Sequence, residues 1–249
     1  MIIQPKDGTG ITSCLSVRLS DACAYAREHL KWPYDIDSSK QFWWYKDDES
    51  TDISPMYIAG YMKPHDNIIS SYHHEWQWNW LDDVDYYMNA KLASLICPVS
   101  DKVVEIAMSI KPLVEGRYYV LYRGNDKAKE IEPCPYETMV EMAKKSGHNK
   151  FFVQTDDADF IAYFMDRMPN TTYSDLVPRI RANNEKYVMP LTGKPYFGQN
   201  FLSLLYAASF ADGLITTTGN TGIWAAFFRG TLENTYQHNG RKGIWRKIG

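Results

Sequence analysis

The stretch that decides the fold runs from Tyr118 to Lys127, YYVLYRGNDK, with its echo from Phe151 to Phe160, FFVQTDDADF. Each is a short apolar, β-rich run that ends abruptly in charged and turn-forming residues. Between them, Pro135 to Lys145 places Met139, Val140, Met142 and Ala143 near helical spacing, and Gly147 suits a helix C-terminus. Asp157 to Met168 predicts a second helix, with Phe160, Ile161, Phe164 and Met165 on one face and Asp157 as its cap. Thr171–Tyr173 is a weak third strand. Phe201–Phe210 is an apolar helix, Leu214–Thr217 a strand, and Thr221–Arg229 a helix closed by Gly230. Strands alternating with helices of this length predict a parallel sheet covered on both faces. Such sheets bind ligands at the carboxyl ends of their strands.

Working outward, the first half is less regular. A helix is expected over Ser13–Leu30 after Gly8-Thr9-Gly10. Others are expected over Asp83–Leu95 and over Ser100–Ile110, with Ser100 as N-cap. Tyr34–Ile36 and Ile68–Tyr72 read as strands, whereas Lys40 to Asp66 carries no period. The organisation changes near residue 112. The expected division is a smaller acceptor-side lobe over residues 1–112 and a ligand-binding lobe over residues 113–249, with a cleft between them.

Composition narrows the function. The chain has 249 residues, 45% hydrophobic and 23% charged, with a formal net charge of -3. It is therefore globular rather than disordered, and a general nucleic-acid binder is not expected. Cys14, Cys23, Cys97 and Cys134 form no CxxC, which argues for free thiols in a reducing compartment. Neither a signal peptide nor an apolar stretch long enough to cross a membrane is seen, so a cytoplasmic protein without an integral membrane segment is expected. The basic end, HNGRKGIWRKIG, reads as a solvated tail. Aromatic residues reach 14%, and six of the 8 Trp lie at or before residue 80, as in carbohydrate-handling proteins or in an aromatic-rich core.

Three strand ends carry groups suited to a nucleotide. Arg123, with Lys127 nearby, can hold a diphosphate through paired hydrogen bonds, or can belong to a charged turn. Asp156 can accept from a base or ribose. Thr216-Thr217-Thr218-Gly219-Asn220-Thr221 opens a helix, where hydroxyls, a glycine and the helix dipole together favour an anion.

In order and spacing, YVLYRGNDK, KFFVQTDDADF and FLSLLYAASFADGLITTTGNT resemble the three C-terminal motifs of the GDP-fucose-using fucosyltransferases of GT-B type, the α1,6- and protein O-fucosyltransferase superfamily with the nodulation enzymes. The resemblance covers roughly residues 115 to 230. It implies an α/β fold of two Rossmann-like lobes, the N-terminal one reduced. It also implies an inverting, metal-independent transfer of fucose from GDP-fucose to a glycan. Arg123 then occupies the place of the arginine that holds the β-phosphate, and Asp126 and Lys127 match the motif's closing pair. Asp156 falls in the second motif, and Thr217, Thr218, Gly219, Asn220 and Thr221 in or beside the third. Gly8 and Gly10 weakly echo the Gly-rich loop. Leu121 stands where the family has histidine, and Gly219-Asn220 where it has a serine pair. Glu130 and Glu132 are candidates for the base, with His73 as an imidazole alternative. His74, Trp76 and Trp78 are candidates for holding the acceptor; Trp76, Trp78 and Trp80 would share a face if this segment were a strand. No cofactor and no metal ligand are expected.

Two other readings remain open from the residues. One is a metal-dependent transferase using a UDP-sugar through an Asp-x-Asp pair, for which Asp35/Asp37, Asp83/Asp85 and Asp157/Asp159 fit the pattern. The other is a non-catalytic carbohydrate-binding protein with a degenerate nucleotide lobe.

Overall fold

The computed structural model describes residues 1–4, 10–124, 131–179, 190 and 192–249. Of the expected site residues, Gly8, Asp126, Lys127 and Glu130 lie outside these. A six-stranded sheet, β1 (Tyr118–Tyr122), β2 (Phe151–Thr155), β3 (Thr171–Thr172), β4 (Gly213–Thr217), β5 (Thr235–Asn239) and β6 (Ile244–Lys247), has the order β3-β2-β1-β4-β5-β6. All neighbours are parallel except β5 and β6. Every residue of β1, β2 and β4 is buried, which is why these strands read as unbroken apolar runs rather than as alternating patterns.

The two faces of the sheet have separate cores. Tyr118, Val120 and Tyr122 of β1 pack with Met139 and Val140 of α4 (Tyr136–Lys145) and with Phe160 and Phe164 of α5 (Ala158–Arg167). Tyr119 and Leu121 point the other way, into the larger core with α6 (Lys194–Tyr206) and α7 (Asn220–Arg229). The Tyr119 hydroxyl donates to Leu204 O at 2.8 Å and ties β1 to α6.

The larger core also takes in the first half of the chain: α1 (Ile11–His29), α2 (Tyr86–Ile96) and α3 (Asp101–Val114). Ser100 caps α3 as expected, accepting from Val103 N. The Tyr86 hydroxyl of α2 reaches Ala226 O of α7 at 2.5 Å, and the Tyr57 hydroxyl reaches Pro195 O of α6 at 3.1 Å. The division expected at residues 112/113 falls in the last turn of α3.

The strands expected at 34–36 and 68–72 do not form. Among the described residues the first half holds 3-10 turns and two isolated bridges, Ile2 with Asp37 and Ile58 with Val99. Side chains take the place of a ladder there. The Trp32 indole donates to His65 O and Ile68 O, and Ser70 Oγ accepts from Tyr72 N. The α/β architecture is as expected; among the described residues the first half is reduced to helices and turns packed on the sheet.

The basic end is no tail. Asn239-Gly240 starts a turn that returns the chain as β6 along the edge of the sheet. Among the described residues, no helix is long and apolar enough to cross a membrane.

Candidate active site

The strand order fixes where a ligand belongs. From β1 the chain moves outward to β2 and β3, then returns to place β4 on the other side of β1. The two windings part between β1 and β4, and the crevice opens at their carboxyl ends. Arg123 follows β1, Asp156 follows β2, and Thr218-Gly219 follow β4.

Arg123 and Asp156 meet. Arg123 Nε lies 3.2 Å from Asp156 Oδ2, and Asp156 Oδ1 accepts from Gly124 N at 3.0 Å. One carboxylate therefore fixes both the guanidinium and the backbone turn that carries it. Gly124 is needed there, because an added Cβ would lie 2.8 Å from Asp157 Oδ2. Asp157 is buried and caps α5 through Asp159 N and Phe160 N, and its other oxygen accepts from the Tyr136 hydroxyl at 2.5 Å. Burial, reinforced by that carboxylate, pushes the Tyr136 phenol well above its ordinary range.

The β4 end is organised by its backbone. Thr218 N donates to His238 O at 2.9 Å, and Thr218 Oγ1 accepts from Gly240 N at 3.1 Å. Gly219 sits at φ 139, ψ 162, a conformation open only to glycine, and donates its N–H to Gln77 O at 2.9 Å. No side chain caps α7. The Asn220 and Thr221 side chains turn toward α1. Ser16 Oγ donates to Asn220 Oδ1 at 2.9 Å, Asn220 Nδ2 donates to Ser13 Oγ at 3.0 Å, and the Thr221 and Thr12 hydroxyls are 3.3 Å apart. What the first turn of α7 offers a ligand is thus its backbone N–H groups.

The start of α1 faces the same place. Gly10 precedes it without a side-chain cap, and Ile11 N donates to the Tyr45 hydroxyl at 3.0 Å. Two helix N-termini, the positive ends of their dipoles, therefore converge at the buried Thr12 and Thr221. Such an arrangement repels itself and attracts an anion.

Thr217, the last residue of β4, pairs with His238 of β5. Glu132 is exposed; the neighbouring Ile131 lies against Gly240, whose Cβ position would be 2.5 Å from Ile131 Cδ1. That contact brings the Glu132 segment to the β4–β5 ends. The segment His74–Trp78 is a 3-10 turn rather than a strand, so Trp76, Trp78 and Trp80 do not form one stacking face. His73 is exposed and caps this turn through Nδ1, accepting from Glu75 N, while His74 Nε2 lies 3.2 Å from Glu75 Oε1. Trp76 packs edge-on against Tyr72. Trp78 carries the Arg241 guanidinium 4.2 Å above its ring, and Trp80 is buried beneath Arg246 and Lys242. Gln77 O still brings this turn to the crevice through Gly219.

Several residues at the site are not legible in the sequence. His238, on β5 beside Thr217, is buried, and desolvation holds its imidazole below the ordinary histidine value. Gln77 and Tyr45 act through a backbone carbonyl and a hydroxyl, and no motif marks them. Only the hairpin had a signal, Asn239-Gly240, a favoured turn pair.

At least one member of each Asp-x-Asp pair has another partner. Asp37 bonds Ser39 N, and Asp35 bonds Ile36 N. Asp83 lies 3.6 Å from Arg246, and Asp85 begins α2 in a left-handed conformation. Asp157 caps α5. Among the described residues, no three His, Cys, Asp or Glu side chains gather as a metal site.

Neither the family models nor the curated proteins contain a match to the chain. Among solved structures it is similar to that of the NodZ α-1,6-fucosyltransferase soaked with GDP-fucose. The identity is 14% and the TM-score 0.54, over 99% of this chain and 98% of that one. The fold is thus that of a GT-B-like fucosyltransferase.

Proposed function

We propose that the protein is an inverting glycosyltransferase that moves fucose from GDP-fucose to a glycan hydroxyl without a metal ion. The observation that carries this reading is the convergence of the N-termini of α1 and α7, neither capped by its own N-cap side chain, at the end of β4, the strand paired with the one that Arg123 follows. Fixed positive dipole ends and a guanidinium supply, without a metal, the charge that a departing diphosphate requires. The likeness in fold to a fucosyltransferase supports the same choice.

In the transfer, the acceptor oxygen bonds to the anomeric carbon from the face opposite the nucleotide. The bond from that carbon to the diphosphate oxygen breaks, and its electron pair leaves with GDP. The acceptor proton passes to a base. Arg123, with Lys127 and the backbone of α7, takes up the leaving charge; Gly8 and Gly10 are further candidates for holding the donor. Asp156 holds Arg123 and, at the end of β2, can also accept from the base or ribose of the donor. Glu130, Glu132 and His73 are the candidates for the base. The four cysteines, free and buried, fit a reducing compartment, and the reading places the enzyme in the cytoplasm.

A thermal-shift panel of GDP, GDP-fucose, GDP-mannose, UDP and UDP-sugars, each with EDTA or Mn²⁺, tests the reading. Stabilisation by GDP and GDP-fucose that EDTA leaves intact is expected, about 2.7 kcal/mol at a hundredfold excess over Kd. Stabilisation by UDP compounds with Mn²⁺ alone would move the chemistry to a metal-dependent reaction. No response to any nucleotide would leave a carbohydrate-binding protein with a degenerate nucleotide lobe.

A further inference from the structure

The aromatic turn at 74–80 offers poor stacking for a sugar, because Arg241 covers Trp78 and basic side chains cover Trp80. A second candidate surface lies beside the Trp43–Tyr45 turn, whose Tyr45 hydroxyl meets the start of α1. There the chain from Ser39 to Asp52 folds around a pocket of about 510 Å³, lined by Ser39, Trp43, Lys46, Glu49, Ser50 and Asp52. That volume lies within the range of small-molecule sites, on the order of 300–1,000 Å³.

Lys46 is what makes this more than a surface hollow. It is only 7% exposed. Its ammonium has three N–H donors, and two are used, by Ser39 O at 2.9 Å and Glu49 O at 3.3 Å. No carboxylate lies within ion-pair distance of it among the described residues. A buried ammonium costs stability unless its donors are satisfied, and the pocket is where the third can find an acceptor. Asp52 is similarly half-used: Oδ1 accepts from Ser54 N at 2.9 Å, while Oδ2 has no described partner. An indole, an ammonium donor and a carboxylate acceptor together match the apolar and hydroxylated sides of a sugar ring, while the Ser50 hydroxyl is held by Asp48.

The pocket is also joined to the candidate donor site. Trp43 and Tyr45 belong to one 3-10 turn, Trp43–Tyr45. The Tyr45 hydroxyl accepts from Ile11 N, the first residue of α1, and Thr12 beside it meets Thr221 of α7. A polar ligand in the pocket is therefore connected, through one short turn, to the place where the two helix ends converge.

We infer that the Ser39–Asp52 pocket is a glycan subsite, in which one sugar unit of the acceptor stacks on Trp43 and bonds to Lys46 and Asp52. The inference rests on the proposal that the protein acts on a glycan, and its test separates the two. A glass-immobilised array of defined oligosaccharides, probed with the parent chain and with Trp43→Ala and Asp52→Ala, reads the pocket. The GDP thermal shift of each chain reads the donor site and the folding of the variants. Expected is binding of a discrete set of glycans by the parent chain, at least tenfold weaker in either variant, with the GDP shift retained. Equal binding by the parent and by both folded variants would overturn the subsite while leaving the donor reading intact. Absence of glycan binding despite a GDP shift would do the same. Glycan binding that both variants lose, in a chain that no nucleotide stabilises, would uphold the pocket and remove the transferase. Should Trp43→Ala fail to fold, Asp52→Ala, at an exposed position, still decides.

Discussion

Arg123 Nε lies 3.2 Å from Asp156 Oδ2, across the carboxyl ends of two neighbouring parallel strands. The pair spans the first two motif ends, and its second carboxylate oxygen holds Gly124 N. Asp156 thus fixes the base of the arginine and the turn that carries it at the mouth of the crevice. Arg123→Ala is expected to lower kcat/KM for GDP-fucose by about 10²- to 10³-fold, the usual effect of deleting one transition-state donor. Arg123→Lys should recover little, since an ammonium lacks the planar fork. Asp156→Asn keeps the arginine's charge but loosens its aim, and a smaller loss, up to about 10²-fold, should appear in kcat. Steady-state transfer assays check all three. Full activity in Arg123→Ala would reduce the pair to a structural contact.

Gly219 carries two constraints at once, a backbone conformation closed to other residues and an N–H bonded to Gln77 O. Gly219→Ala is expected to cost about 1–3 kcal/mol of stability from backbone strain. It should also shift the first turn of α7, and so weaken the response to GDP by more than the stability loss explains. Urea unfolding and GDP thermal shifts, compared on the same variant, separate the two effects.

How far the sequence could be read follows from where each element gets its stability. β1, β2 and β4 are buried on both sides, so their apolar runs announce them. β5 is TYQHN and looks like a loop, yet Gln237, His238 and Asn239 are buried. Gln237 is satisfied by Leu81 N and Asn79 O, and Asn239 by Trp78 O, 156 to 161 residues away in sequence. No local pattern encodes partners at that distance. The same holds for the Lys40–Asp66 region, whose 3-10 turns are held by side chain–backbone bonds rather than by a periodic face. At the candidate site, the strand-end residues were legible because topology brings strand ends together. The use of the Asn220 and Thr221 side chains to hold α1 was not.

Ser16 is the hub of that attachment. Its hydroxyl donates to Asn220 Oδ1 at 2.9 Å and lies 2.8 Å from Trp224 Nε1 and 3.3 Å from the Tyr72 hydroxyl, both of which donate to it. Ser16→Ala would orphan several buried groups at once, each costing about 1–3 kcal/mol. A total loss near the top of that range is expected in chemical denaturation. Because α1 and α7 would lose their register, GDP binding should weaken as well. A neutral Ser16→Ala would mean that the two helix starts are held by packing alone.

All four cysteines are free and buried. Burial pushes the thiols of Cys23, Cys97 and Cys134 up to about 12, so almost no thiolate forms at neutral pH. The folded protein is expected to leave Ellman's reagent nearly unreacted and to release four thiols per chain in guanidinium. Rapid reaction of even one thiol in the native state would show that its surroundings open on the timescale of the assay.

His238 should give the fold a pH dependence of definite sign. Burial lowers its pKa from 6.5, and its Nδ1 has no hydrogen-bond partner. The unfolded chain therefore takes up this proton at a higher pH than the folded one. Below pH 6.5 the unfolded state binds more protons at this residue, so stability falls as the pH drops toward the folded-state pKa and recovers above 6.5. His238→Phe keeps an aromatic ring against Trp245, which lies 5.2 Å away between centroids, and removes the titration. The variant is expected to lose less stability than the parent chain between neutral pH and pH 5, by a slope approaching one proton. Urea titrations of both chains across that interval measure it, and parallel curves would show that His238 keeps the same proton affinity on folding.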